Sequence, residues 1–296
     1  MSTPRVTVVV TSHGAYAELT RTLTALLDAE SPDEVIVAEG GPADPQTHLH
    51  RFASRVRILH MPGAAVPRLR WTAARASTGD IIVTTEARLV PDAGWWQALR
   101  DAHVTHPECR VIGGVVDVAP DARACDRGLY LCEYVSFAPA REPGVVATLS
   151  SGSLSYRREV LLAEGDLLDR GCWDTVLHAR WATVPSALRL VPARSLFVSG
   201  MTRTAALRMR FRYGRSYATE RVRSRGVAAR TLFAGGTLLL PWLLTLRVLN
   251  DAGRYRSAAL DQPALGWAWV YNVAWAAGEC VGYLAGSGGD EGALLP

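Results

Sequence analysis

Three short apolar runs constrain this chain most: Val6–Val10, Glu34–Ala38 and Asp80–Thr84, each stopping at a polar or glycine-containing turn. Between the first two, Ala17–Leu27 carries Leu19, Leu23, Leu26 and Leu27 at helical spacing, and Leu69–Ala76 before the third run also looks helical. Arg57–His60 reads as a further short strand. Strand and helix alternating with short connections predict a parallel sheet with helices on its faces. Such sheets bind ligands beyond the carboxyl ends of their strands. His13, Glu39 and Glu86 sit at those ends.

The middle of the chain is less regular. Val111–Val116, Val145–Ser151, Leu154–Tyr156, Ala187–Val191 and Leu196–Val198 are strand candidates; Arg157–Glu164 and Thr175–Trp181 are helical ones. We expect the globular part, residues 1–200, to close there. Residues 201–230 form an arginine-rich segment, with nine Arg and one acid, Glu220, between Arg203 and Arg230. Residues 231–296 are strongly hydrophobic. Thr231–Leu249 has Arg247 as its only charge and Ala264–Ala285 has only Glu279. Both approach the ~20 residues that cross a hydrocarbon core, and basic residues beside such segments mark the cytoplasmic side. The expectation is a hydrophobic helical hairpin that spans or re-enters a membrane, although Pro241, Asn272 and Glu279 also suit buried core helices.

All 32 basic residues are Arg, and the net charge is +4. The arginine cluster precedes a lipophilic segment and carries few stacking aromatics, which argues against nucleic acid as a partner. The first strand is not followed by GxGxxG, which disfavours dinucleotide-dependent redox chemistry. Five scattered cysteines without CxxC spacing read as reduced cytosolic thiols. The opening MSTPRVTVVVTSHG has too short an apolar run for a signal peptide.

Three segments, in order, resemble a family-2 glycosyltransferase of the GT-A fold, membrane-associated bacterial type. They are VTVVVTSHGAYAELTRTLTALL with PDEVIVAEGGPADP, RLRWTAARASTGDIIVTTEARLVPDAGWWQAL, and SSGSLSYRREVLLAEG with LLDRGCWDTVLHARW. The resemblance covers roughly residues 5–215. It implies an α/β fold with a Rossmann-like, mostly parallel sheet flanked by helices. It implies an inverting transfer of a sugar from a nucleoside-diphosphate sugar to a lipid-linked or polysaccharide acceptor, at the cytoplasmic membrane with the catalytic domain in the cytoplasm.

Carried over by position, Ser12 and Glu39 match residues that contact the nucleotide. Arg70 matches an arginine facing the pyrophosphate, where a planar guanidinium holds two oxygens. Gly152 and Ser153 lie in the acceptor-side segment. Asp174 matches the acid that deprotonates the acceptor hydroxyl, and it equally suits a helix N-cap. His178, one turn on, reads as a surface or packing residue. Arg212 and Arg215 match a basic-aromatic segment that closes over the diphosphate or rests on the bilayer. Glu86 takes the first acidic place of the family's Asp-x-Asp motif, but Arg88 stands in the second, and Trp173 replaces an acid beside Asp174. The family's second acid helps hold Mg²⁺ or Mn²⁺. Three readings stay open: Arg88 replaces the cation as a fixed positive charge, the metal survives on Glu86, or the protein is a non-catalytic relative that binds a nucleotide or a partner transferase.

Overall fold

The computed structural model describes residues 3–28, 30–223 and 225–286. In chain order the elements begin β1 (Val6–Ser12), α1 (Tyr16–Asp28), β2 (Glu34–Glu39), α2 (Pro45–Leu49), β3 (Arg57–His60), α3 (Val66–Ala76), β4 (Ile81–Glu86), β5 (Leu89–Pro91) and α4 (Trp95–Thr105). Next come β6 (Val111–Val118), α5 (Ala124–Glu133), β7 (Gly144–Val145), β8 (Ser153–Arg157), α6 (Arg158–Leu162), α7 (Gly165–Asp169), α8 (Asp174–Trp181) and β9 (Leu188–Phe197). Among the described residues four helices follow: α9 (Arg203–Arg221), α10 (Val227–Gly236), α11 (Leu240–Arg254) and α12 (Gln262–Ala285).

The chain divides into two units. The first holds the residues up to Asp117 together with Arg141–Val198; the second holds Val118–Ala140 and the chain from Ser199 onward. One boundary falls between Val198 and Ser199, and α5 groups with the C-terminal helices.

In the first unit the sheet runs β3-β2-β1-β4-β8-β6-β9-β5, with β7 beside β9. Pairing is parallel from β3 through β4. The β4–β8, β6–β8 and β5–β9 pairs are antiparallel. Helices cover both faces, which is why β1 is a nearly unbroken valine run. Val6, Val8 and Val10 pack with Leu19, Leu23 and Trp95 on one face; Val9 packs with Leu69, Trp71 and Tyr156 on the other. The sheet was expected to include Val145–Ser151, but only Gly144–Val145 is strand there. The two expected strands around residue 190 are one, β9. It pairs with β7 over Arg189–Leu190 and with β5 over Ser195–Phe197, so Pro192, which has no N–H to give, falls between the two ladders.

The second unit is helical. α12 lies against α9 and α5 through glycines: a Cβ on Gly278 would overlap the Phe211 carbonyl, and one on Gly128 would lie 2.6 Å from Trp267 Cβ. Polar residues of α12 are buried and bonded. Trp275 Nε1 donates to one oxygen of Glu279 (2.5 Å) and the Tyr283 hydroxyl to the other (2.7 Å). Asn272 Nδ2 donates to Thr245 Oγ1 (3.0 Å). These contacts tie the polar residues of α12 into the helical unit. Among the described residues no single helix is long and apolar enough to cross a membrane; α10 and α11 meet the criterion only together, bent by 58° at their junction.

Candidate active site

β1, β2 and β4 stop on one line. Ser12 pairs with Glu39, and Thr11 pairs with Glu86, in the parallel registers. Glu39 is fully buried. Its Oε1 accepts the backbone N–H of Gly14 (2.8 Å) and of Gly41 (2.5 Å), tying together the turns after β1 and β2. These glycines are dictated by space and conformation. Gly14 has φ of 74°, and a Cβ on Gly41 would lie 2.8 Å from both Glu39 Oε1 and Gly14 N. Glu39 Oε2 and Ser12 Oγ are buried without a hydrogen-bond partner in the protein. His13 beside them keeps a neutral ring: burial lowers its pKa against the opposing pull of its bond to Ala64 and of the Glu39 charge. Its Nε2 lies 2.8 Å from the Ala64 carbonyl and so carries the proton.

α3 brings the central residue. Its buried face includes Val66, Ala73 and Ala74, and Arg70 falls on that same face, so a guanidinium is carried inward with only 1 % of the residue exposed. Arg70 Nη1 donates to Asp174 Oδ2, across 104 residues of sequence. Its Nη2 stands 3.7 Å from Glu86 Oε1. Burial works against the charge on Arg70, but Asp174 and Glu86 outweigh it and hold its pKa above the ordinary guanidinium range. Arg70 Nε and Nη2, and Asp174 Oδ1, have no hydrogen-bond partner. Arg88, two residues past Glu86, places Nη2 3.7 Å from Glu86 Oε2 and its guanidinium 5.7 Å over the Phe197 ring.

Asp174 is the first residue of α8, with Trp173 as the cap residue. It therefore lies one position inside the N-cap place, where a carboxylate still suits the positive end of the helix. His178, expected as a surface or packing residue, is buried, and its Nε2 lies 3.2 Å from the Tyr156 hydroxyl. Burial pushes the His178 pKa down to about 4. Tyr156, which feels the charges of both Asp174 and Arg70, was not singled out in the sequence. Its signal was its place on an inward-facing position of β8.

Other expected site residues serve different surroundings. Ser153 Oγ accepts from Trp95 Nε1 (3.0 Å) within the core, and the Gly152 N–H meets Ser150 Oγ at 3.3 Å. In the helical unit, Arg215 Nε donates to the Gly286 carbonyl (2.8 Å) at the end of α12, while Arg212 is half-buried on α9. A divalent cation fits poorly. Each oxygen of Glu86 faces a guanidinium, and among the described residues no three His, Cys, Asp or Glu side chains come together to hold a metal.

Among solved structures, a mannosyltransferase from Pyrobaculum calidifontis in complex with GDP-Man and Mn²⁺ matches with a TM-score of 0.55 and 18% identity, over 94% of this chain and 88% of that one. GalNAc-T7 with UDP, GalNAc and Mn²⁺ matches with a TM-score of 0.51 and 13% identity, over 67% of this chain and 44% of that one. Both likenesses show the fold, which is GT-A. A comparison with curated proteins finds no match. The sequence signature of Glycosyl transferase family 2 covers residues 7–162, more than half of the chain and, but for Val6, every strand from β1 through β8, so this protein belongs to the family-2 glycosyltransferases.

Proposed function

We propose that the protein is an inverting transferase that moves a sugar from a nucleoside diphosphate to a hydroxyl of a lipid-linked or glycan acceptor, at the cytoplasmic face of a membrane. The observation that carries this reading is the set of buried polar atoms left without partners at the carboxyl ends of β1 and β2 and around Arg70. Such atoms are uncommon in a folded protein and call for an explanation. Their chemistry divides sensibly. Ser12 Oγ and Glu39 Oε2 suit N–H and O–H groups of a nucleoside. Arg70 Nε and Nη2 suit phosphate oxygens. Asp174 Oδ1 suits an acceptor hydroxyl. In the step itself the acceptor oxygen bonds to the anomeric carbon as its proton passes to Asp174. The bond from that carbon to the diphosphate breaks, and the nucleoside diphosphate leaves with the electron pair.

The membrane part of the reading is supported by α10 and α11. Leu232, Leu238, Leu239, Trp242, Leu243 and Leu246 are exposed there, with Leu238 at 80 %. Arg225, Arg230 and Arg247 flank them. A bent apolar pair with basic flanks suits a position in the headgroup layer of an anionic leaflet. Flotation with phosphatidylglycerol vesicles, and loss of flotation in Leu238→Glu/Trp242→Glu, would bear this out; absence of flotation would remove it.

The decisive experiment is turnover of a panel of UDP-, GDP- and dTDP-sugars by the purified protein, followed as released nucleoside diphosphate. Folded protein inert across the panel, with and without membrane lipid extract as acceptor source, would overturn the transferase reading.

A further inference from the structure

We propose that Arg88, together with Arg70, holds the donor diphosphate in the place where a divalent cation would otherwise neutralise it, so that donor binding needs no metal. The proposal rests on the nucleoside-diphosphate reading above. It deepens that reading by assigning charge neutralisation to two side chains.

The geometry around Glu86 carries it. A divalent cation bound to this carboxylate would sit ~2.0–2.2 Å from an oxygen. Yet Oε1 already faces Arg70 Nη2 and Oε2 faces Arg88 Nη2, each at 3.7 Å. A cation on either oxygen would meet a fixed positive charge at short range, where low dielectric makes repulsion strong. Asp174 offers no relief, since Arg70 binds it directly. Apart from Asp174 Oδ1, which the reading above gives to the acceptor, the cluster's atoms without a hydrogen bond are N–H donors, Nε and Nη2 of Arg70. Donors cannot ligate a metal. They are matched by anionic oxygens, and the planar guanidinium presents them in pairs that fit a phosphate.

Arg88 is also fixed in place, as a substitute for a coordinated ion must be. Its backbone carbonyl accepts the Val198 N–H (2.9 Å), β5 immediately after it pairs with β9, and its guanidinium rests over Phe197. Only 10 % of its side chain is exposed. A cation–aromatic contact and a nearby carboxylate hold that charge in position.

The test uses the full chain with UDP and GDP as probes, in calorimetry and thermal shift, first in EDTA and then in MnCl₂. The expected result is that the tighter-binding nucleotide has the same Kd within about twofold in both, since Coulomb neutralisation is supplied by the protein. Arg88→Gln weakens binding at least ~tenfold, the scale of a lost charge-assisted contact. Arg88→Asp, which restores a second acid, abolishes binding in EDTA and recovers it with Mn²⁺. Binding by the native protein that falls ~tenfold or more in EDTA and returns with Mn²⁺ would overturn the proposal and leave the transferase reading intact. Unchanged affinity in folded Arg88→Gln would overturn it as well. No binding of either nucleotide in either medium would instead strike the nucleoside-diphosphate reading, and this proposal with it. Should Arg88→Gln fail to fold, the comparison of EDTA with MnCl₂ on the native protein decides alone.

Discussion

Helix α12 and the strand ends of the sheet treat their buried polar groups in opposite ways. In the helical unit, Glu279 sits inside α12 with both oxygens hydrogen-bonded, and Asn272 is likewise engaged. At the strand ends of the sheet unit, Ser12, Glu39, Arg70 and Asp174 each keep at least one buried atom unbonded. A satisfied polar group inside a helix bundle fixes how helices pack. An unsatisfied one costs stability and persists where something other than folding needs it. Single unbonded atoms also occur elsewhere, at His103, Ser195 and Arg210; what marks the site is that Ser12, Glu39, Arg70 and Asp174 all carry them.

Mutation can break this comparison, and the largest expected effect is on turnover. Asp174→Asn should lower it ~10²–10⁴-fold, the range of a lost general base, with the folded state confirmed by circular dichroism. A loss below tenfold would assign the base elsewhere. Next is Arg70→Met, which strands Asp174 in the interior. Urea unfolding should show a loss of ~3–5 kcal/mol, with much of it recovered in Arg70→Met/Asp174→Leu because the uncompensated charge is gone. A purely additive double variant would contradict the pair's coupling.

Smaller is a pH effect in the sheet unit. Burial lowers the pKa of His103 and of His178 to about 4, against 6.5 for the exposed ring. Both therefore stay neutral when folded, and between pH 6.5 and 4 the unfolded chain binds more protons. Their contribution is complete above pH 6.5 and is lost as the pH falls toward 4, at about 2 kcal/mol per ring by pH 5. Chemical unfolding across that range checks it, and His178→Phe should flatten the slope. Smallest is Glu279→Gln. The amide keeps one acceptor and turns a donor toward the other N–H or O–H, costing ~1 kcal/mol in melting experiments, while nucleotide binding by the folded protein is retained.

The sheet was legible because both its faces are covered, so its strands appear as β-branched runs whose ends mark the site. That logic alone points to Glu39 and Glu86. The contact between Arg70 and Asp174 was not legible, since the spacing of either helix gives its inward face but not the partner across 104 residues. Nor was the character of α12. Twenty-two residues with one charge read as a lipophilic segment, and their spacing does not show which groups meet Glu279 and Asn272. For the same reason α5, a modest amphipathic helix, gave no sign that it packs on α12. The pattern stated a burial need, not who would meet it.

The placement of α5 has a practical meaning for anyone dissecting the molecule. Shortening the polypeptide at residue 200 does not liberate a clean catalytic fragment, because α5 stays behind while α12 is discarded. Gly128 and its neighbours, shaped to receive another helix at near-backbone distance, would then be bare to solvent. Such a fragment should precipitate or associate with itself. Solubility is regained by deleting the excursion 118–140 along with the tail, not by trimming the tail alone.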